Sequence, residues 1–472
     1  MSEPKKVDRR KFIYAGLGAV AVIAIGAAAY VAMNPPVLTQ TVTTTVVTTT
    51  VPTTTTPGKR KLTVWGRASF APAQMYWASD LLREWAEKKG IDIEITWIPV
   101  ADQAPKLAAA IAAGNPPDVL IGGDVNATYG ERGLLVPLDD IVNELGKDDI
   151  FEGKLDQGTF NGHICAISTG FEMTWLHVRK DLAEKAGVLD LFPFRNENDI
   201  LEAAEKLSKI EPGVYGIGIP LGSSGFDCSW TFQIYFEAFG GGWATGKTSK
   251  DVVIGKEPYR SAAKKAFGFF RTIWENGWTP PDSDQWVDVS NNLAYLDGRI
   301  AMTSNPMSIW YAIMTGKQEL APKTMLVPDW YPLDLGGESA YAFKGKNEDL
   351  AKELILYFFK DKERYRKGWC EQSFWYNLPI FKSQMEEISK AWQKGSYKYW
   401  GIDPMEAVKR LPHGPDCWIP YNKPIGVLAS WNQAFGINEM VVRAVIKKED
   451  PDKVLDDVQK KLEEEFRKEY GA

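Results

Sequence analysis

The chain has 472 residues, of which 44% are hydrophobic and 25% charged. That is ordinary for a folded protein and long enough for more than one compact unit. A net charge of −6, with no basic stripe interleaved with aromatics, excludes a generic nucleic-acid binder, which needs such a stripe for the phosphate backbone.

The first elements concern targeting. Residues 1–11 carry Lys5, Lys6, Arg9, Arg10 and Lys11 against Glu3 and Asp8, and no charge occurs from Phe12 to Met33. Such a run is long enough, at about 20 helical residues, to cross a hydrocarbon core about 30 Å thick. Positive charge ahead of it predicts a cytoplasmic N-terminus and an exported remainder. Asp8-Arg9-Arg10-Lys11-Phe12-Ile13 resembles a twin-arginine export signal. A cleavage site around Ala27–Ala29 is an alternative to retention, and no cysteine follows the apolar run to carry a lipid. Residues 39–56, TQTVTTTVVTTTVPTTTT, cannot build a core and read as an extended stalk. A stalk is useful only on a chain that stays attached. An uncleaved membrane anchor at 12–33, followed by a stalk over 34–60, is therefore expected.

Folded structure is expected to begin near Lys59. Leu62-Thr63-Val64-Trp65 reads as a strand, and residues 76–89 place Trp77, Leu81, Leu82 and Trp85 at helical spacing. Ile91, Ile93, Ile95 and Trp97 alternate with polar residues, the period of a strand. Residues 102–114 read as a helix ending at Gly114, and residues 118–122 as a buried strand. This β-α-β-α-β order predicts a parallel sheet with right-handed crossovers and a ligand site at loops leaving the carboxyl ends of the strands. Those loops are Gly66-Arg67-Ala68-Ser69 and Gly122-Gly123-Asp124-Val125-Asn126. Both also satisfy ordinary turn chemistry. The middle of the chain mixes helices and short strands, with a helix over 258–275. At the C-terminus Asp450 caps a helix that opens on Pro451 and buries Val454, Leu455, Val458, Leu462 and Phe466.

Aromatic content is unusual, with 18 Trp beside 18 Tyr and 21 Phe. Core packing accounts for most of these rings. Flat apolar faces also suit sugars, whose C–H patches stack on rings while their hydroxyls need hydrogen bonds. Cys165, Cys228, Cys370 and Cys417 form no CxxC pair, leaving disulfides and buried thiols both open. Residues 241–248 satisfy G-x4-G-K-[ST]. The pattern is a phosphate loop only between a strand and a helix, and here a helical SWTFQIYFEAF precedes it and a short strand at 251–255 follows. His163, His177 and His413 lack metal-ligand spacing, and no HExxH or GxSxG occurs. Asn126-Ala127-Thr128 is a glycosylation sequon, fortuitous if Asn126 lies in a cleft.

Taken in order, AAAIAAGNPPDVLIGGD, YGERGLLVPLDDIV, NGHICAISTGFEMTWLHVRKDLAEKAGV, NDILEAAEKLSKI, YLDGRIAMTSNPMSIW, GGESAYAFKGKNEDLAKELILYFFKDKERY and NLPIFKS resemble the family 1 extracellular solute-binding proteins of ABC importers. The resemblance covers nearly everything from residue 61 onward. It implies an α/β two-lobe periplasmic-binding-protein-like fold (type II), with ligand trapped by hinge closure. Lobe 1 is expected at 61–170 with a return at 337–385, and lobe 2 at 171–336 with C-terminal helices at 386–472. A membrane permease and its ATPase are implied as partners, with a small ligand, carbohydrate being common, no cofactor and no catalysis. The outer face of the cytoplasmic membrane is the expected location.

Carried over by position, Arg67, Asp124 and Asn126 fall in the two cleft loops, and Glu172 and Trp175 at the first crossing. Asn305 and Trp310 follow the AM strand, Glu338 lies at the second crossing, and Trp375 precedes the Leu378-Pro379 turn. Trp230 and Trp243 flank SWTFQIYFEAFGGGW. Trp175-Leu176-His177 departs from the family's usual crossing motif. In such a site a carboxylate accepts sugar hydroxyls, Arg or Asn donates, and Trp covers the ring face. Two alternatives remain at this point. One is the same fold with a peptide, metal ion or phosphorylated polyol as ligand. The other is a surface glycan-degrading enzyme using Glu172, Asp124 and Glu338 as its carboxylates.

Overall fold

The computed structural model describes residues 59–123, 126–335, 338–411 and 425–471. The basic segment, the anchor at 12–33, nearly all of the stalk, Asp124, His413 and Cys417 lie outside the described residues. Among the described residues no helix is long and apolar enough to cross a membrane.

The expected β-α-β-α-β start is present. Strands β1 (Lys61–Arg67), β2 (Asp92–Ile98) and β3 (Val119–Gly123) are linked by helices Ala73–Lys89 and Val100–Ala112. β1 pairs in parallel with both β2 and β3. The first helix closes on Gly90, whose φ of 67° is a left-handed cap that glycine adopts without strain. The chain then adds a short ladder of β4 (Thr159–Phe160) and β5 (His163–Ile164), followed by β6 (Ala166–Ser168). It passes to a second sheet of β7 (Trp175–Arg179), β8 (Met302–Asn305) and β9 (Thr324–Pro328), and returns as β10 (Ser339–Ala342). The first sheet has the order β2-β1-β3-β10-β6, and the second β8-β7-β9. β10 runs antiparallel between β3 and β6, so the parallel start acquires antiparallel strands contributed much later in the chain.

Two extended segments cross between the sheets side by side, bridged antiparallel at Met173 and Asp334. Thr174 donates its backbone N–H to Leu333 and Leu335 donates to Glu172. A third segment joins them, Phe171 and Leu378 exchanging both backbone hydrogen bonds. Lys154, on helix Glu152–Asp156, sits at this crossing with its side chain fully buried against Asp334 and its ammonium 4.3 Å from the centre of the Phe171 ring.

The two sheets define two lobes. One apolar core runs from the first sheet through the crossing to Tyr295, Trp310 and Leu326, and includes Met385, Ile388 and Trp400. A second lies under β7 and the helices Phe226–Ala238, Tyr259–Glu275, Gly426–Gln433 and Pro451–Tyr470. The last helix follows its sequence pattern residue for residue. Asp450 accepts from the Asp452 N–H, and Val454, Leu455, Val458, Leu462 and Phe466 are buried. Cys165, Cys228 and Cys370 are buried free thiols, which settles the choice left open for these three. Residues 241–248 form no phosphate loop. The 226–238 helix precedes them, only a single-bridge contact of Ala244 with Val252 and a short turn at Ser249–Asp251 follow, and Lys247 pairs with Glu131.

Candidate functional site

Arg67 is delivered by the carboxyl end of β1. Its neighbour Gly66 is required there, because a Cβ would come within 2.2 Å of the Trp97 ring. The guanidinium reaches into the crossing. It pairs with Glu338 and, at 3.3 Å, with Glu172, and it donates to the Tyr376 hydroxyl at 3.2 Å. Tyr376 in turn hydrogen-bonds Glu172. The Arg67, Glu172 and Glu338 side chains are 9%, 5% and 4% exposed. Charge-assisted bonds of this kind are strong, and their burial is tolerable because the charges answer one another. Burial is also the main reason the Tyr376 hydroxyl is pushed well above its ordinary pKa, with Glu172 adding to it.

Opposite lies the start of the 226–238 helix. Gly225, at φ 91°, brings the chain so close to residue 288 that a Cβ would sit 2.8 Å from Asp288 Oδ1. That approach lets Asp288 accept the Asp227 backbone N–H at 3.1 Å. The Asp227 side chain is buried, and its Oδ1 accepts the Trp230 indole N–H at 2.9 Å. Burial, then the Asp288 charge, pushes the Asp227 carboxyl well above the usual carboxylate range.

Between these two walls is a cavity of about 70 Å³, lined by Arg67, Glu172, Asp227, Trp230, Asn305 and Tyr376 among others. A single water needs about 10–15 Å³ on this scale, so the space admits a small polar molecule. Asn305 is held in its wall by donating to Ser308 Oγ at 2.6 Å and to Asn292 Oδ1 at 3.1 Å.

The lobes also meet at a second place. Glu131, ending helix Asn126–Glu131, accepts the Gly426 N–H at 3.0 Å and the Tyr470 hydroxyl at 2.7 Å, and pairs with Lys247 at 2.6 Å. Arg132 forks onto Glu469 at 2.9 and 3.0 Å.

Of the residues expected from sequence, Arg67, Glu172, Trp230 and Asn305 line the cavity, and Glu338 holds Arg67 beside it. Asp124 lies outside the described residues, and Asn126 opens a helix. The other four tryptophans are core residues, because other rings cover their faces. Trp175 stacks on Trp400 at 6.3 Å and 9°, Trp375 packs on Trp400 at 5.7 Å, Trp310 stacks on Tyr399 at 4.8 Å, and Trp243 packs on Phe236 at 4.9 Å. None of the four lines the cavity. The sequence reading missed Tyr376, Asp227 and Asp288. A signal for Asp227 existed, since it stands three residues before Trp230 on one helix face.

Two α/β lobes meet at a triple crossing and flank a cavity large enough for a small ligand. The sequence profile of the bacterial extracellular solute-binding proteins matches residues 80–396, and the chain belongs to that family. Solved structures agree on the fold. A solute-binding protein from Thermotoga lettingae bound with α-D-tagatose superposes at a TM-score of 0.72 with 19% identity, over 86% of this chain and 100% of that one. A sugar transporter protein from Arthrobacter chlorophenolicus with bound laminaribiose gives 0.70 and 17%, over 86% and 99%. A binding protein of Brucella abortus is 24% identical over 220 residues, 46% of this chain and 51% of its own. The chain thus spans about half the length of the curated relatives it matches.

Proposed function

We propose that this chain captures a mono- or oligosaccharide by lobe closure and delivers it to an ABC permease and its ATPase. In this reading residues 12–33 anchor it to the outer face of the cytoplasmic membrane. In the same reading lobe 1 is 61–170 with 337–385 and lobe 2 is 171–336 with 386–472, and Arg67, Glu172, Asn305 and Trp230 are the ligand contacts. The observation that carries the reading is the buried Arg67–Glu172–Glu338–Tyr376 network facing Asp227 and Trp230 across the cavity. Such a network offers fixed acceptors and a flat ring, the two things a pyranose needs. Similar structures carrying α-D-tagatose, laminaribiose and D-mannitol support a carbohydrate or polyol ligand. Closure removes water from these bonds, so a mismatched ligand leaves buried groups unpaired and is rejected.

The test is a thermal-shift screen of sugars, polyols, peptides, phosphorylated polyols and metal ions. A ligand at about 100 times its Kd adds about 2.7 kcal/mol of stability. A shift with sugars or polyols is expected. A shift confined to peptides, phosphates or metals overturns the sugar assignment while leaving the binding role.

A further inference from the structure

The cavity is rich in acceptors and poor in donors. Its lining holds three carboxylates, Glu172, Asp227 and Asp288, and one cation, Arg67. Arg67 is already engaged by Glu172 and Glu338 within its own wall. Apart from the Ser308 hydroxyl, which accepts from Asn305 and Asn292, the neutral donors are used inside the protein as well. Trp230 Nε1 goes to Asp227, the Tyr376 hydroxyl to Glu172, Ser229 Oγ to the Phe226 carbonyl at 2.8 Å, and the Asn305 amide to Ser308 and Asn292. An anion at the start of the 226–238 helix would find its place taken, because Asp288 already accepts the Asp227 N–H there.

One acceptor stands apart. Asp227 is 7% exposed, and its Oδ2 has no hydrogen-bond partner in the protein. A buried carboxylate oxygen left without a donor is costly unless a ligand supplies one. The apolar lining of the same cavity includes the rings of Phe70, Phe226 and Trp230. Carboxylates in a cavity lined partly by rings suit an alkylammonium, which gains charge-assisted bonds beside aromatic side chains, as Arg67 does over Phe70 at 5.6 Å. A neutral hydroxyl can donate to Oδ2 but does nothing for the crowding of negative charge, which the raised Asp227 carboxyl registers.

Resting on the sugar-binding reading, we propose that the cleft contains an amine subsite: its ligand is an aminated sugar whose ammonium is held at Asp227 Oδ2, with Asp288 and Glu172 enforcing the choice of charge. Asp227 is the residue that sets this selectivity.

The test uses the full chain and matched probes by titration calorimetry: D-glucosamine, N-acetyl-D-glucosamine, D-glucose and D-glucuronate, with the β-1,4 dimer of glucosamine against cellobiose as a longer pair. The amine of each pair is expected to bind about tenfold or more tighter than its neutral counterpart, the gain of one charge-assisted contact, with D-glucuronate weakest. In Asp227→Asn the ratio of amine to neutral affinity should fall toward one. Asp288→Asn, which leaves Asp227 in place, should lower it partway. The thermal midpoint of each variant shows whether it is folded. Neutral sugars binding as tightly as the amines, glucuronate binding comparably, or a ratio unchanged in folded Asp227→Asn overturns the amine subsite and leaves sugar binding standing. No binding by any of these probes overturns the amine subsite, and failure of the wider sugar and polyol screen as well overturns both.

Discussion

Lys154→Met should turn a stable crossing into a pH-dependent one. The native Lys154 and Asp334 side chains are both fully buried, and Asp334 Oδ1 also accepts the Glu172 N–H at 3.0 Å. Methionine fills much the same space but takes the Lys154 ammonium away from a buried Asp334 carboxylate, and breaking a buried pair this way costs about 3–5 kcal/mol. Protonation sets a ceiling on that cost. Neutralising a carboxyl whose free pKa is about 3.9 takes about 4 kcal/mol at pH 7 and about 1.5 kcal/mol at pH 5, at about 1.36 kcal/mol per unit. In the variant the folded-state pKa of Asp334 is raised above its unfolded value, so stability is retained at low pH and lost as pH rises. Asp334→Asn strands the ammonium instead, and the sign reverses. Its deficit, capped near about 4–5 kcal/mol at pH 7, shrinks as pH climbs toward the free lysine value of about 10.4. The double variant Lys154→Met/Asp334→Asn strands neither charge and should lose far less than the sum of the singles, with little pH dependence. Urea unfolding of the four proteins at pH 5, 7 and 9 measures all of this. Flat pH profiles for the single variants, or a double variant as unstable as their sum, would refute the reasoning.

Two further outcomes follow from the geometry. Glu131→Ala strands the Gly426 N–H, the Tyr470 hydroxyl and Lys247, and so weakens closure; the unliganded chain should show a larger radius of gyration by small-angle scattering, and ligand affinity should fall about 5- to 30-fold, for contacts worth about 1–2 kcal/mol. The acid limb of stability should depend on buried groups of opposite sign, among them His177 and Asp329. Burial lowers His177 to about 3, so the unfolded chain binds the extra proton and stability falls as pH drops through about 6.5. Burial raises Asp329 to about 6, so it contributes stability that is lost as pH rises from about 4 to about 6. Asp329, like the raised Asp227, opposes His177 over that window, and Asp329→Asn, by removing one of them, should steepen the loss on acidification by up to about 1.4 kcal/mol per pH unit relative to the native chain in melting curves taken between about pH 4 and 6.

How much of this was legible depended on whether the cause was local. The β-α-β-α-β start and the terminal helix follow from periodicity and caps within a few residues, and both stand where the pattern put them. Arg67, Glu172 and Glu338 were nameable by position in an ordered family pattern, and the structure joins all three. Asp227 was not, because what sets it beside the cavity is Gly225 admitting Asp288, which lies sixty-one positions beyond Asp227. Tyr376 was overlooked beside Trp375 for a similar reason. The two are adjacent, yet one ring is packed on Trp400 while the neighbouring hydroxyl meets Arg67 and Glu172. Aromatic composition predicts how many rings there are and says nothing about which faces other rings have covered.

The placing of β10 has a consequence for how the molecule comes into being. Its residues 339–342 fill the gap between β3 and β6, Ser339 facing Ser168. Until they arrive, two strands of the first sheet show open edges, and those edges invite pairing with any other extended chain. A nascent or truncated chain stopping short of residue 339 is therefore a template for aggregation, even with strands β1 to β9 made. Pairings across so long a stretch of sequence are slow to find, because the closure entropy is paid before the contacts form. The first lobe is begun early and finished late, and the interval between is when the protein is most exposed to misassembly.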